Sequence, residues 1–347
     1  MKTLYPRIRL RGIPSGRWRL YDGPPPRPRR QLLAREVVRL VFYLPHDHPE
    51  LSSGVSHAIA SYMRAVGEGP RTINSVHFSH DEGSRLTEES WGYVRRLLDA
   101  TKHWHFPDDY DPWERKQIEK RGFERGLLFT GPLGQNGYQL EYRARIPWSP
   151  PPENAVSLLT ATLPMEYLEE HGPARVRALA LDLASQLPFA SGHAGLALQL
   201  YRSLRNSDAA LLAEVFRYPG IDLRTAWPHE DQMGLRMDGV HWLNFLGPSL
   251  LTQLGAGSSL RSRLHSPGTT LDTLPTGCAV ISLGEQPEAG DLATGRSLPA
   301  YQELARVLEP WLEPLQLPQQ TRSEPPRYTA LRLTEDEARR WWRRFLA

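Results

Sequence analysis

At 347 residues, with 40% hydrophobic and 23% charged side chains, the chain can bury a sizeable core and is not disordered, a disulfide-stapled mini-protein or a coiled coil. The formal net charge of +3 hides a split: residues 1–40 carry eleven Lys/Arg against Asp22 and Glu36, leaving 31 basic and 37 acidic residues in a net acidic remainder. The lone Cys278 excludes an internal disulfide and a multi-thiolate zinc site, and no apolar run nears the roughly 20 residues that cross a bilayer.

In chain order, Arg7–Arg11 and Arg17–Leu20 alternate strictly around Ile13-Pro14-Ser15-Gly16, which predicts a β-hairpin with an arginine-bearing face. Residues 1–34 therefore read as a basic arm ending in a Pro/Arg linker. Glu36–Leu44 reads as a buried strand closed by Pro45. Val55, Ala58, Ile59, Tyr62, Met63 and Val66 place one apolar face on a helix over 50–66. A strand over 72–78 precedes a helix with Thr87 as N-cap. Leu127–Phe129 and Tyr138–Ile146 form a hairpin about the Asn136-Gly137 turn.

Pro147-Trp-Ser-Pro-Pro-Pro152 divides residues 35–150 from residues 151–347. Beyond it the order restarts, with a strand ending in Leu163-Pro164, a helix carrying Val176, Leu179, Leu183 and Leu187, and a strand over 195–201. The distal part predicts a tight bend at Arg217–Leu223 and an apolar helix from Trp242 to Leu254 stopped by Gly255. A strand over 278–283, a helix over 300–308 and a C-terminal segment at 334–345 complete the chain. The expected class is α+β: two related halves, each a largely antiparallel sheet covered by helices, packed as one unit.

Chemistry-bearing motifs are few. His46/His48 and His103/His105 have the H-x-H spacing of a shared metal, but the first pair flanks a Leu-Pro corner and the second lies among aromatics and prolines. Ser191-Gly-His193 suits a glycine-loosened strand start better than a catalytic pair. Neither a nucleophile elbow nor a phosphate loop is present, and Cys278 sits in an apolar run that suits inert packing. The reading is a non-enzyme without cofactor or metal site.

The segment Trp104-His-Phe-Pro-Asp-Asp-Tyr-Asp-Pro-Trp-Glu114 is composed for contact and too proline-rich for regular structure. Its aromatics supply interface area and its carboxylates suit a basic partner, so Trp104, Phe106, Asp108, Asp109, Tyr110, Asp111, Trp113 and Glu114 are the candidate partner-binding residues. The opposing reading folds this loop back over the core.

Leu163-Pro164, Ser191-Gly-His-Ala-Gly-Leu196, Tyr218-Pro-Gly-Ile-Asp222, Trp242-Leu-Asn, Leu254-Gly255, Gly284-x-x-Pro287-x-x-Gly290-Asp291 and Leu298-Pro-x-Tyr301, in this order and spacing, resemble the type VI immunity protein family. The likeness runs from about Arg35 to Trp341-Trp-Arg-Arg-Phe345. Leu-Ala-Thr-Gly295 follows Asp291 where the family favours an early Asn, and Leu254-Gly-Ala-Gly257 replaces a commoner Leu-Gly-Gly. The single cysteine and a start without an apolar stretch suggest the cytoplasm. The resemblance implies a protein that neutralises a cognate antibacterial toxin encoded nearby, commonly a nuclease of restriction-endonuclease-like fold, with no catalytic residues to carry over. Membrane association and direct nucleic-acid binding are not expected. Two readings from other classes compete: a nucleic-acid-binding protein using the basic arm, and a metal-dependent hydrolase using His103 and His105.

Overall fold

The computed structural model describes residues 5–12, 31–78, 83–99, 111–121, 125–132, 135–145, 154–200, 208–223, 233–314 and 334–346. Its spine is β2 (Gln31–Leu44), whose side chains from Leu33 to Leu44 are all buried. Such a continuous run of buried Leu, Val, Phe and Tyr demands neighbours on both edges and cover on both faces.

The edges are taken by β7 (Ser157–Pro164) and β8 (Ser191–Leu200), both antiparallel to β2 and almost wholly buried. Beyond β7 lie β6 (Gln139–Arg143), β5 (Gly126–Thr130), β3 (Ser75–Phe78) and β4 (Ser84–Arg85). Beyond β8 lie β9 (Leu243–Leu246), β11 (Ala279–Leu283) and β10 (Thr269–Thr273). The result is an antiparallel sheet of eleven strands among the described residues, in an α+β fold as expected. Strands of both sequence halves share this sheet, with β2 seated between two strands of the second half.

β1 (Leu10–Gly12) pairs with residues 31–34 of β2, so the arginine-rich start is a strand of the main sheet. The segment 17–20, expected as its hairpin partner, lies outside the described residues. Arg7 and Arg9 both bond Glu36, reaching Oε1 at 3.0 Å, and extend to Glu169 and Glu166.

Alternation along β2 sorts its side chains onto two faces. Ala34, Val38, Leu40, Phe42 and Leu44 join the main core under α1 (His48–Val66) and α4 (Met165–Ala184). α4 bends at Gly172, which takes φ 78° ahead of Pro173. Around the rim lie α2 (Glu88–Leu98), capped by the Thr87 hydroxyl as expected, α3 (Pro112–Arg121) and α5 (Asp208–Arg217). The opposite face of β9 and β11 is covered by α6 (Pro248–Gln253), α8 (Pro299–Leu308) and Phe345, in a second apolar cluster through Leu246, Leu250, Ile281 and Leu304. α7 (Ala256–Arg261) and α9 (Glu335–Trp342) complete the helices among the described residues.

Two expectations are corrected. The helix foreseen over 242–254 begins only at Pro248; Leu243–Leu246 is a strand between β8 and β11. Four consecutive side chains buried on both faces of a sheet mimic a buried helix in composition, and length alone separates them. Trp113 and Glu114, foreseen on an irregular segment, belong to the first turn of α3, because Pro112 is well tolerated at a helix start.

Candidate functional site

Of the contact segment, Trp104, Phe106, Asp108, Asp109 and Tyr110 lie outside the described residues, as do His103 and His105. Asp111, Trp113 and Glu114 are described, and α3 brings them together. The Asp111 carboxylate accepts the backbone N–H groups of Trp113 and Glu114, each at 2.8 Å, while Glu114 Oε2 accepts the Asp111 N–H at 3.1 Å. This reciprocal cap satisfies helix-end donors and concentrates negative charge where the helix dipole favours it. Trp113 is 56% exposed, the most exposed large aromatic among the described residues. The opposite side of the helix is anchored by Ile118, which is buried.

The other expected chemistry resolves into structure. His46 bonds Glu50 at 3.1 Å at the surface, whereas His48 is buried between the Tyr142 hydroxyl (2.9 Å) and the Leu98 carbonyl (3.2 Å). The two imidazoles thus serve different partners. Cys278 is buried, and burial pushes its thiol pKa up, which suits packing and not nucleophilic attack.

One polar constellation was not foreseen. On the sheet face away from α1 and α4, Arg39, Tyr43 and His193 project from β2 and β8, all nearly solvent-free. His193 faces Val41 across the β2–β8 ladder, and Gly195 faces Arg39. A Cβ on Gly195 would stand 3.3 Å from the Cβ of His241, so the missing side chain makes the space in which His241 packs. The His193 and His241 rings stack with centroids 3.6 Å apart and planes within 10°.

Asp238 closes the group. Its Oδ1 lies 3.0 Å from His193 Nδ1 and 3.5 Å from His241 Nε2, and its Oδ2 accepts the Tyr43 hydroxyl at 2.7 Å. The Asn244 side chain clamps His241, accepting its N–H at 2.9 Å and donating to its carbonyl at 2.7 Å. Ser191 Oγ donates to the Arg236 carbonyl at 2.6 Å, and Met237 exchanges backbone bonds with Trp311 and Glu313. Residues 236–241 are therefore fixed from both sides.

Asp222 lies beside this group, 3.6 Å from Arg39 Nη1. Its backbone exchanges hydrogen bonds with Leu196 and Leu198, docking the Tyr218-Pro-Gly-Ile-Asp222 bend on β8. Burial drives the His241 pKa down to about 4, with His193 adding to the fall, so this imidazole is neutral at neutral pH. Burial opposes ionisation of Asp238, yet the two imidazoles outweigh it and hold the carboxyl well below its usual range. The Asp238-x-x-His241 spacing is a weak signal of a ligand pair, and the link to His193 exists only through the sheet.

The family model described as TsiV, type VI immunity for VRR-NUC, matches residues 132–345. None of the curated proteins compared with the chain matches it. Among solved structures, the Pseudomonas aeruginosa T6SS protein PA0821 is similar in fold, with a TM-score of 0.68 over 92% of this chain and 84% of that one, at 19% identity. The matched span includes β6 to β11 and the buried His193/Asp238/His241 group, and it ends at Phe345 in the second apolar cluster. The chain belongs to the TsiV family of type VI immunity proteins for VRR-NUC nuclease toxins.

Proposed function

We propose that this protein neutralises a cognate VRR-NUC nuclease, encoded nearby, by binding it one to one in the cytoplasm, and that it catalyses no reaction itself. The observation that carries this reading is the family match over residues 132–345. Charge supports it. A nuclease presents a basic cleft to phosphates, and residues 41–347 are net acidic, so complementarity speeds capture and orients docking.

The docking surface includes the start of α3. There Trp113 offers an exposed aromatic anchor beside the Asp111 and Glu114 carboxylates, in the pattern of an interfacial hot spot with a polar rim. Trp104, Phe106, Asp108, Asp109 and Tyr110 are proposed as partner-binding residues on their composition alone. The reading based on a nucleic-acid-binding arm has less support, because Arg7 and Arg9 are engaged by Glu36, Glu166 and Glu169.

The test is calorimetric titration of the purified nuclease with wild-type protein, Trp113→Ala and Glu114→Lys. Each variant is expected to weaken binding about tenfold or more, the effect of losing at least ~1.4 kcal/mol at a hot spot. Unchanged affinity in both removes α3 from the interface.

A further inference from the structure

We propose that His193, Asp238 and His241 form a binding site for one divalent transition-metal ion, zinc by its donor set, which pins residues 236–241 to β8. This goes beyond toxin binding and does not depend on it.

Three observations converge on the site. First, the ligand atoms of the three side chains lie within 4.8 Å of one another, and all three residues are at most 5% exposed. Donors arranged tetrahedrally about zinc at ~2.0–2.1 Å are separated by about 3.3 Å. The carboxylate-to-imidazole separations here are 3.0 and 3.5 Å. Second, neither nitrogen of His193 nor Nε2 of His241 makes a hydrogen bond of acceptable geometry. Buried polar atoms are rarely left so, and an ion is one of the agents that satisfies them. Third, the carboxylate is already supported as a ligand should be. The Tyr43 hydroxyl holds Oδ2 at 2.7 Å and leaves Oδ1 toward both rings.

The chemistry of the donors selects the ion. Two imidazoles and one carboxylate suit zinc and its neighbours in the transition series over magnesium or calcium, which prefer oxygen alone. Coordination requires the stacked rings to splay from their 10° interplanar angle so that each lone pair meets the ion in its ring plane.

The His193 and His241 rings come from segments nearly fifty residues apart. An ion shared by them would therefore add stability by binding the native state alone.

The full-length protein, stripped with EDTA and desalted, is titrated with zinc chloride at pH 7.5. Wild type is expected to retain one equivalent by elemental analysis and to gain roughly 5 °C in thermal midpoint, as a ligand well above its dissociation constant produces. His193→Gln and His241→Gln are expected to lose both effects. Retention by folded wild type of less than roughly one-tenth of an equivalent overturns the proposal. So does equal retention by both variants, which would place the ion elsewhere. If neither variant folds, X-ray absorption of zinc-loaded wild type decides. Two imidazoles and an oxygen without sulfur support the site, and fewer than two imidazoles overturn it.

Discussion

Arg217 grips Asp291 with two parallel bonds, Nε to Oδ1 at 2.8 Å and Nη2 to Oδ2 at 2.9 Å. Such a fork is the strongest geometry available to this pair. It ties the Tyr218–Asp222 bend to the loop ending in Gly290-Asp291, two corners that are distant in sequence. The backbone repeats the tie, with the Gly220 N–H on the Ala289 carbonyl at 2.9 Å. The Arg217 hydrogen bonds hold the Asp291 pKa down to about 2. A depressed carboxylate contributes stability above its ordinary pKa near 3.8 and loses it as pH falls toward 2. Arg217→Met is therefore expected to speed amide exchange at Gly220 and in residues 287–296 at pH 7. The variant should resemble acidified wild type in those segments. Hydrogen exchange resolved by peptide measures both, and unchanged protection in the variant contradicts the tie.

Gly220 tests the same junction sterically. A Cβ there would stand 2.0 Å from the Glu288 carbonyl oxygen and 3.0 Å from Ala289 Cα, both backbone atoms that cannot swing away. Gly220→Ala should destabilise the fold by about 2 kcal/mol or more, seen as a lower urea midpoint at unchanged slope.

The Arg39–Asp222 pair is a buried charge contact at 3.6 Å. Burial lowers the Arg39 pKa, with Asp222 as the chief opposing influence. Removing one member takes from the other, still buried, its opposite charge at 3.6 Å. Asp222→Asn should cost about 3 kcal/mol, whereas Arg39→Met with Asp222→Leu should cost less than the two single changes together. A double-mutant cycle in urea measures the coupling, and strict additivity would show that the pair acts as two independent groups.

His48 sets an acid limit. Burial, aided by the Arg125 charge, lowers its pKa to about 4. The folded state therefore disfavours the proton that the unfolded chain accepts near pH 6.5. Stability from neutral His48 is complete above about pH 6.5 and falls as pH drops toward 4, by up to ~1.4 kcal/mol per pH unit. His48→Gln should flatten the stability curve between pH 6.5 and 4, whatever it costs at pH 7. A parallel curve would assign the acid sensitivity elsewhere.

Sequence patterning carried the central elements because their burial is one-sided or complete over long runs. β2, α1, β7 and α8 all announce themselves through apolar spacing. Leu243–Leu246 resembles helix in its sequence because a short strand buried on both faces has no period of its own. The strand at Thr269–Thr273 leaves little trace in the sequence because it is polar and largely exposed, with little apolar alternation. The family resemblance rested on glycine and proline corners, and Gly220 and Asp291 now have physical reasons for their identity. The buried imidazole pair was illegible for a different cause. His193 reads as one polar residue in a strand, and His241 becomes its neighbour only after Gly195 and the sheet register bring them face to face.

The central claim is neutralisation by stoichiometric capture. The direct measurement is nuclease activity of the cognate VRR-NUC toxin titrated with purified protein, with the complex weighed by light scattering. Activity falling linearly to zero at one equivalent, alongside a stable complex of the two chains, is the predicted result. Full activity in the presence of excess protein, or inactivation of many toxin molecules by each copy, would contradict it.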